Sequence, residues 1–285
     1  MRILVFGRIG QLGTALAELL DPLHETIFLD QPEIDLSAPD SVVAHVREHA
    51  PDLVVNAAAY TAVDKAETEP DLADAINAQA PGAMALACAD AKIPLLHYST
   101  DYVFDGSASA PYRENAPVNP RSVYGRGKLA GEQAVAQATD QHVILRTAWL
   151  YSYVGHNFLK TMLRLAAEGK PVRVVDDQIG SPTYAWDLAQ ASAAVVEALA
   201  QGRDDIYGIF HATNAGVTSW HGFAERIFDL AGYDDVELVA ISTDEYPTPA
   251  PRPAYSVLCC ERLQEAFGVT LPEWPDALAR CIARL

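Results

Sequence analysis

The sequence predicts an α/β fold, a doubly wound parallel sheet with a smaller C-terminal lobe. Short apolar runs of the kind buried on both faces alternate with helical stretches. A glycine-rich turn sits directly between the first such run and the first helix. After about Ser152 the strict alternation loosens.

Each element follows in chain order. Residues 3–6 form a continuous apolar run and read as a strand. The turn from Gly7 to Gly13 leads into a helix that runs to Leu20. Residues 26–29 read as the second strand, 41–49 as a helix closed by Pro51, and 53–55 as the third strand. Residues 72–91 make a long alanine-rich helix, with an interruption at Pro81 that the periodicity does not account for. Residues 95–98, 124–138 and 143–146 continue the alternation as strand, helix and strand. Beyond them, 157–168 and 185–200 look helical, while 172–175, 206–211 and 237–241 look extended. Prolines at 247, 249, 251 and 253 exclude helix there. The expected division is residues 1–152 as a Rossmann-like dinucleotide domain and 153–285 mainly as the second lobe, interleaved with the last strands of the sheet.

Composition narrows the function classes. Half of the 285 residues are apolar, enough for a sizeable core. A formal charge of −18 argues against nucleic acid and anionic membrane as partners. A phosphate-bearing ligand would then have to be held by backbone N–H groups, helix N-termini and a few arginines. Four cysteines, Cys88, Cys259, Cys260 and Cys281, show no metal spacing and read as reduced thiols of a cytoplasmic protein. No metal site is expected.

The glycines of Gly7-Arg8-Ile9-Gly10-Gln11-Leu12-Gly13 have the context a dinucleotide turn needs. Gly7 would make the turn, Gly10 would admit a pyrophosphate, and Gly13 would let helix and sheet approach. Asp30 ends the second strand, where a carboxylate binds ribose hydroxyls and repels a 2′-phosphate; this favours NADH. Asn56-Ala57-Ala58-Ala59 leaves room for a flat ligand at the next strand end. Asp64, Lys65 and Glu67 read equally well as helix-starting charges or as ligands.

Tyr124 and Lys128 lie four apart at the start of a helix, on one face. A phenol titrates near pH ~10. An ammonium at ~4 Å with an effective dielectric of ~20 contributes ~4 kcal/mol, roughly three pK units, so the pair is expected to act as an acid at neutral pH. Ser99 and Thr100 end the fourth strand, and the Thr100 hydroxyl could support charge developing on a carbonyl oxygen.

With these residues in place, the chain resembles the extended short-chain dehydrogenases, and among them the dTDP-4-dehydrorhamnose reductase group. The phrases that carry the resemblance are Gly10 to Gly13, Thr61 to Glu67, Ser99 to Gly106, Tyr124 to Glu132, Arg146 to Trp149, Asn157-Phe158, Asp177 to Thr183 and Pro247 to Pro253. The resemblance implies reduction of the C4 ketone of dTDP-4-dehydro-6-deoxy-L-mannose by NADH, with NADPH also accepted, and a nucleotide-sugar as the small-molecule partner of a substrate-binding C-terminal lobe. It implies cofactor contacts at Gly10, Gln11, Leu12, Asp30, Asp35, Leu36, Ala59, Tyr60, Thr61 and Tyr98. It implies sugar contacts at Thr100, Asp101 and Trp149, with Tyr124 as proton donor and Lys128 on the nicotinamide ribose. A homodimer is compatible with it. The magnesium site of some dimeric relatives does not carry over, since no local acidic motif supports it. Ala254-Tyr255-Ser256 stands where the group usually has an asparagine before the serine, which puts substrate preference in question. Two rival readings are a nucleotide-sugar epimerase or dehydratase of the same fold, and a non-catalytic subunit like the regulatory one of methionine adenosyltransferase. Tightly held NAD would favour the first, and a stoichiometric protein partner without sugar reduction the second.

Overall fold

The computed structural model describes residues 1–285. Its strands are β1 (Arg2–Phe6), β2 (Glu25–Leu29), β3 (Leu53–Asn56), β4 (Leu95–Thr100), β5 (His142–Thr147), β6 (Leu150–Tyr151), β7 (Val172–Val175), β8 (Ile179–Gly180), β9 (Thr183–Tyr184), β10 (Gly208–His211), β11 (Thr218–Ser219) and β12 (Leu238–Ile241). Its α-helices are α1 (Gln11–Leu20), α2 (Pro39–His49), α3 (Val63–Ala66), α4 (Pro70–Asp74), α5 (Ala80–Ala91), α6 (Val123–Ala138), α7 (Phe158–Ala167), α8 (Ala185–Ala200), α9 (Trp220–Ala231), α10 (Glu261–Phe267) and α11 (Trp274–Ile282).

Six strands form one parallel sheet in the order β10-β5-β4-β3-β1-β2. The order reverses between β1 and β3, which opens a crevice at their carboxyl ends. Both faces are covered, as the continuous apolar strands require. Ile3, Val5, Val55 and Leu145 pack with residues of α1 and α8 on one side. Leu4, Phe6, Val54 and Ile144 pack with residues of α2 and α5 on the other. The C-terminal half therefore supplies both an edge strand, β10, and a covering helix, α8, to the large sheet.

The remaining strands pair outside it, β7 with β12, β6 with β9, and β8 with β11. A separate core of Tyr151, Tyr184, Leu159, Phe223 and Ile227 holds this lobe together. The stretch 247–253 is neither helix nor strand, as its prolines dictate. No helix is long and apolar enough to cross a membrane.

Pro81, the break without an explanation in the sequence, has one here. The long helix is built of α4, a π-helical turn at Ala75–Gln79, and α5, with Pro81 in the first turn of α5. Proline has no N–H to give to the carbonyl four residues back and clashes with it; a widened turn relieves both. The same turn brings the Asn77 carbonyl against α6, where a Cβ on Gly131 would sit 2.1 Å from it. A Cβ on Gly125 would meet the Tyr102 carbonyl at 2.4 Å. Glycines that would weaken an exposed helix here let α6 lie close to its neighbours.

Candidate active site

A cavity of about 1470 Å³ runs along the carboxyl edge of the sheet and under the second lobe. Gly7, Gly10, Gln11, Leu12, Asp30, Leu36, Ala59, Thr61, Tyr98, Thr100, Asp101, Tyr124, Lys128 and Trp149 all line it. Three expected site residues do not. Gly13 lies beneath, where a Cβ would come within 1.7 Å of the Gly7 carbonyl oxygen. Asp35 turns its carboxylate to the backbone N–H (2.8 Å) and hydroxyl (2.6 Å) of Ser37. Tyr60 donates its hydroxyl to Glu69 at 2.7 Å, while Asn77 holds its backbone from both sides at 2.9 and 3.0 Å.

The glycine turn fits a dinucleotide. Gly7 has φ +97°, and a Cβ there would sit 2.8 Å from Ala58 N, so only glycine makes the turn. A Cβ on Gly10 would meet no atom other than the Gly7 oxygen at 3.7 Å; that side is open. Gly10 starts α1 with no side-chain cap, which leaves the N-terminal N–H groups free for an anion. The Asp30 carboxylate accepts from Ile9 N and Gln31 N, both at 2.9 Å, so it is fixed at the rim of the turn. Asn157 reaches over from the second lobe and donates to Gln11 Oε1 at 2.9 Å.

α6 delivers Tyr124 and Lys128. Its first turn is anchored twice: Ser122 Oγ accepts from Gly125 N at 3.0 Å, and Glu67 Oε1 accepts from Val123 N at 2.7 Å. Glu67, which the sequence left undecided, is thus a capping carboxylate for the helix that carries the tyrosine. Lys128 is buried and donates to the Tyr98 carbonyl at 2.7 Å. An ammonium has three donors, so two remain for a ligand.

Here the electrostatics depart from expectation. Tyr124 is not acidified: burial drives its phenol well above its ordinary value, and the nearby Thr100 hydroxyl offsets only part of that. Lys128 itself is pushed down to about 8 by burial, with Glu132 pulling the other way. Removal from water disfavours the phenolate, and the neighbouring Asp101 and Tyr102 raise the phenol further. The phenol is held as a neutral donor, positioned with its ring edge-to-face on Tyr102 at 5.5 Å.

Beside it, Asp101 is buried, with Oδ1 accepting from Thr100 Oγ1 at 3.0 Å. Burial pushes its carboxyl up to about 6, with Ser256 and Thr100 opposing. Ser256 lies near enough to weaken that shift, although neither Asp101 Oδ2 nor Ser256 Oγ meets hydrogen-bond geometry with a partner.

Trp149 adopts φ +49°, strained for a bulky side chain. Its indole stacks on Trp220 at 3.6 Å between ring centroids, and Phe158 flanks Trp220 at 4.6 Å. A Cβ on Gly180 would sit 2.6 Å from the Trp149 ring, so the second lobe closes around it.

Trp220, Phe158 and Arg252 had no role assigned from sequence. Arg252 donates to Asp64 Oδ2 at 2.7 Å and to the Tyr102 hydroxyl at 3.0 Å, and Asp64 Oδ1 accepts from Ala250 N at 3.2 Å. Asp64, another of the undecided charges, therefore ties the proline-rich strap to the start of α3. A single cation inside an alternating proline run was the available signal.

Known proteins match this chain along its whole length. The family model described as the RmlD substrate binding domain matches residues 1–285. A dTDP-4-dehydrorhamnose reductase of Sinorhizobium fredii is 44% identical over 288 residues, covering 99% of this chain and 97% of the relative. The crystal structure of a dTDP-4-dehydrorhamnose reductase from Clostridium acetobutylicum superposes with a TM-score of 0.93 at 40% identity, covering 100% of this chain and 99% of the other. That of the dTDP-4-dehydrorhamnose reductase from Bacillus anthracis, in complex with NADP, gives 0.94 at 37% identity, again covering 100% and 99%.

Proposed function

The chain belongs to the RmlD substrate binding domain family, and from that premise we propose that it reduces the C4 ketone of dTDP-4-dehydro-6-deoxy-L-mannose to dTDP-L-rhamnose, using NADH or NADPH. The observation that carries the reading is the convergence of Thr100, Tyr124 and Lys128 on the wall of the cavity that also contains the glycine turn.

The dinucleotide would lie with its pyrophosphate at Gly10 and the N-terminus of α1, and its adenosine ribose at Asp30. Once bound, it supplies the hydride that reduces the ketone carbon. The chain's own residues do the rest. Tyr124 donates its phenolic proton to the oxygen as charge builds there. Thr100, whose hydroxyl donates to Asp101 Oδ1 at 3.0 Å in the free protein, would turn that single donor to the same oxygen. Lys128, anchored on the Tyr98 carbonyl, turns its remaining donors to the nicotinamide ribose. Asp101 and Trp149 orient the sugar, and the strap held by Arg252 and Asp64 helps exclude water. Alignment of the two reactants accounts for roughly 7–11 kcal/mol of barrier lowering.

Asp30 favours a free ribose hydroxyl, yet the Bacillus anthracis relative is a complex with NADP. Arg8, whose guanidinium lies over the Phe28 ring at 5.9 Å, is a cation in the same turn that could offset Asp30. Both dinucleotides are therefore expected to serve. Cytoplasmic placement agrees with four unpaired cysteines. A homodimer is compatible with the reading, and light scattering distinguishes one copy from two.

The test is oxidation of NADH, and separately of NADPH, on addition of the ketosugar. Tyr124→Phe should lose most turnover and keep dinucleotide affinity. Full turnover in that variant, or none in the parent protein, sinks the assignment.

A further inference from the structure

Away from the cavity, α2 gathers three side chains with metal-binding chemistry that the reduction does not use. We propose that His45, Glu48 and His49 form a binding site for a divalent first-row transition ion of the zinc class.

The spacing puts both histidines on one face of α2, four residues apart, with the carboxylate beside them. One ligand atom from each of the three lies within 4.8 Å of the other two. The imidazole rings are parallel within 7°, with centroids 5.8 Å apart.

Spacing alone would describe any surface histidine pair; the state of His45 goes further. Its Nε2 lies 3.2 Å from the Glu33 carbonyl oxygen. A carbonyl can only accept, so Nε2 carries the hydrogen, and in the neutral ring Nδ1 carries the lone pair. That Nδ1 is buried without a hydrogen-bond partner, and it sits 3.8 Å from Glu48 Oε2. A ring nitrogen held by a backbone carbonyl, with the other left bare toward a carboxylate, is how proteins present histidine to a metal.

The His45–Glu48 spacing is close to what a small ion needs. Bonds of ~2.0–2.1 Å in a tetrahedral site place ligand atoms roughly 3.4 Å apart. The Nδ1–Oε2 distance need shrink by only a few tenths of an ångström, and the Glu48 side chain, 70% exposed, is free to move. Two imidazoles and one carboxylate select zinc, nickel or copper over magnesium or calcium, and leave a fourth position for water. The site lies in the last two turns of α2, whose C-terminal carbonyls favour a cation. The neighbouring cation, Arg47, pairs with Asp90 at 3.6 Å. None of the three ligands lines the large cavity, so the site can be measured apart from turnover.

Titration calorimetry of the chelator-treated full-length chain with zinc chloride, without dinucleotide, tests this. The expected result is one equivalent bound, no binding of magnesium, and affinity weakened roughly tenfold or more in His49→Ala and in His45→Gln. Zinc should also raise the melting temperature of the parent chain and leave that of His49→Ala unmoved, with circular dichroism establishing that the variant folds. Zinc binding that persists unchanged when His45→Gln and His49→Ala are combined would place the ion elsewhere, for example on the cysteines, and overturn the proposal. Absence of both heat and thermal shift in the parent chain would overturn it too.

Discussion

Replacing Asp101 by asparagine should stabilise this protein at neutral pH. The shape is unchanged, and the Oδ1 that accepts from Thr100 at 3.0 Å survives. The new amide can donate to the neighbouring Ser256 hydroxyl. The magnitude follows from the carboxyl's shift from an ordinary 3.8 up to about 6, caused first by burial. An acid whose folded value is raised binds more protons folded than unfolded between those two pH values. Its penalty is therefore absent below 3.8, grows between 3.8 and 6, and is complete above 6. At ~1.4 kcal/mol per pK unit, the substitution should yield between ~1 and ~2 kcal/mol at pH 5 and about 3 kcal/mol at pH 7. Urea unfolding of both proteins at a series of pH values reads this directly. Their difference cancels the other titrating groups, provided these are the same in both. A gain that is flat from pH 5 to pH 7.5, or a variant less stable than the parent, refutes the reasoning. In the same variant the ketosugar KM should rise, since a residue that costs stability at such a site is kept for binding.

Lys128 is charged below about 8 and neutral above it. Dinucleotide affinity, followed by fluorescence, should fall as pH rises through that value, and Lys128→Met should bind more weakly with no such dependence. Gly13→Ala would place a Cβ 1.7 Å from the Gly7 oxygen; we expect at least about 3 kcal/mol of destabilisation by urea unfolding, together with loss of dinucleotide binding. The Asp64–Arg252 pair is partly exposed at 43% and 19%. A double-mutant cycle on ketosugar binding should return a coupling of about 1 kcal/mol, and additive effects would remove the strap from the site.

The sequence by itself determined the alternation of strands and helices, the glycine turn after β1, and the shared helical face of Tyr124 and Lys128. Each rests on local periodicity or on steric limits of glycine and proline, which act within a few residues. The tertiary structure decided what depends on distant contact and on exclusion of water. Arg252 meets Asp64 across 188 residues, Trp149 stacks on Trp220 from another element, and a π-helical turn absorbs Pro81 while pressing on Gly131. No spacing along the chain encodes those partners. The same holds for the charge states. Four residues of separation promised an acidified phenol, but burial raised Tyr124 and lowered Lys128, because desolvation depends on everything that surrounds a group and not only on its neighbour along the helix.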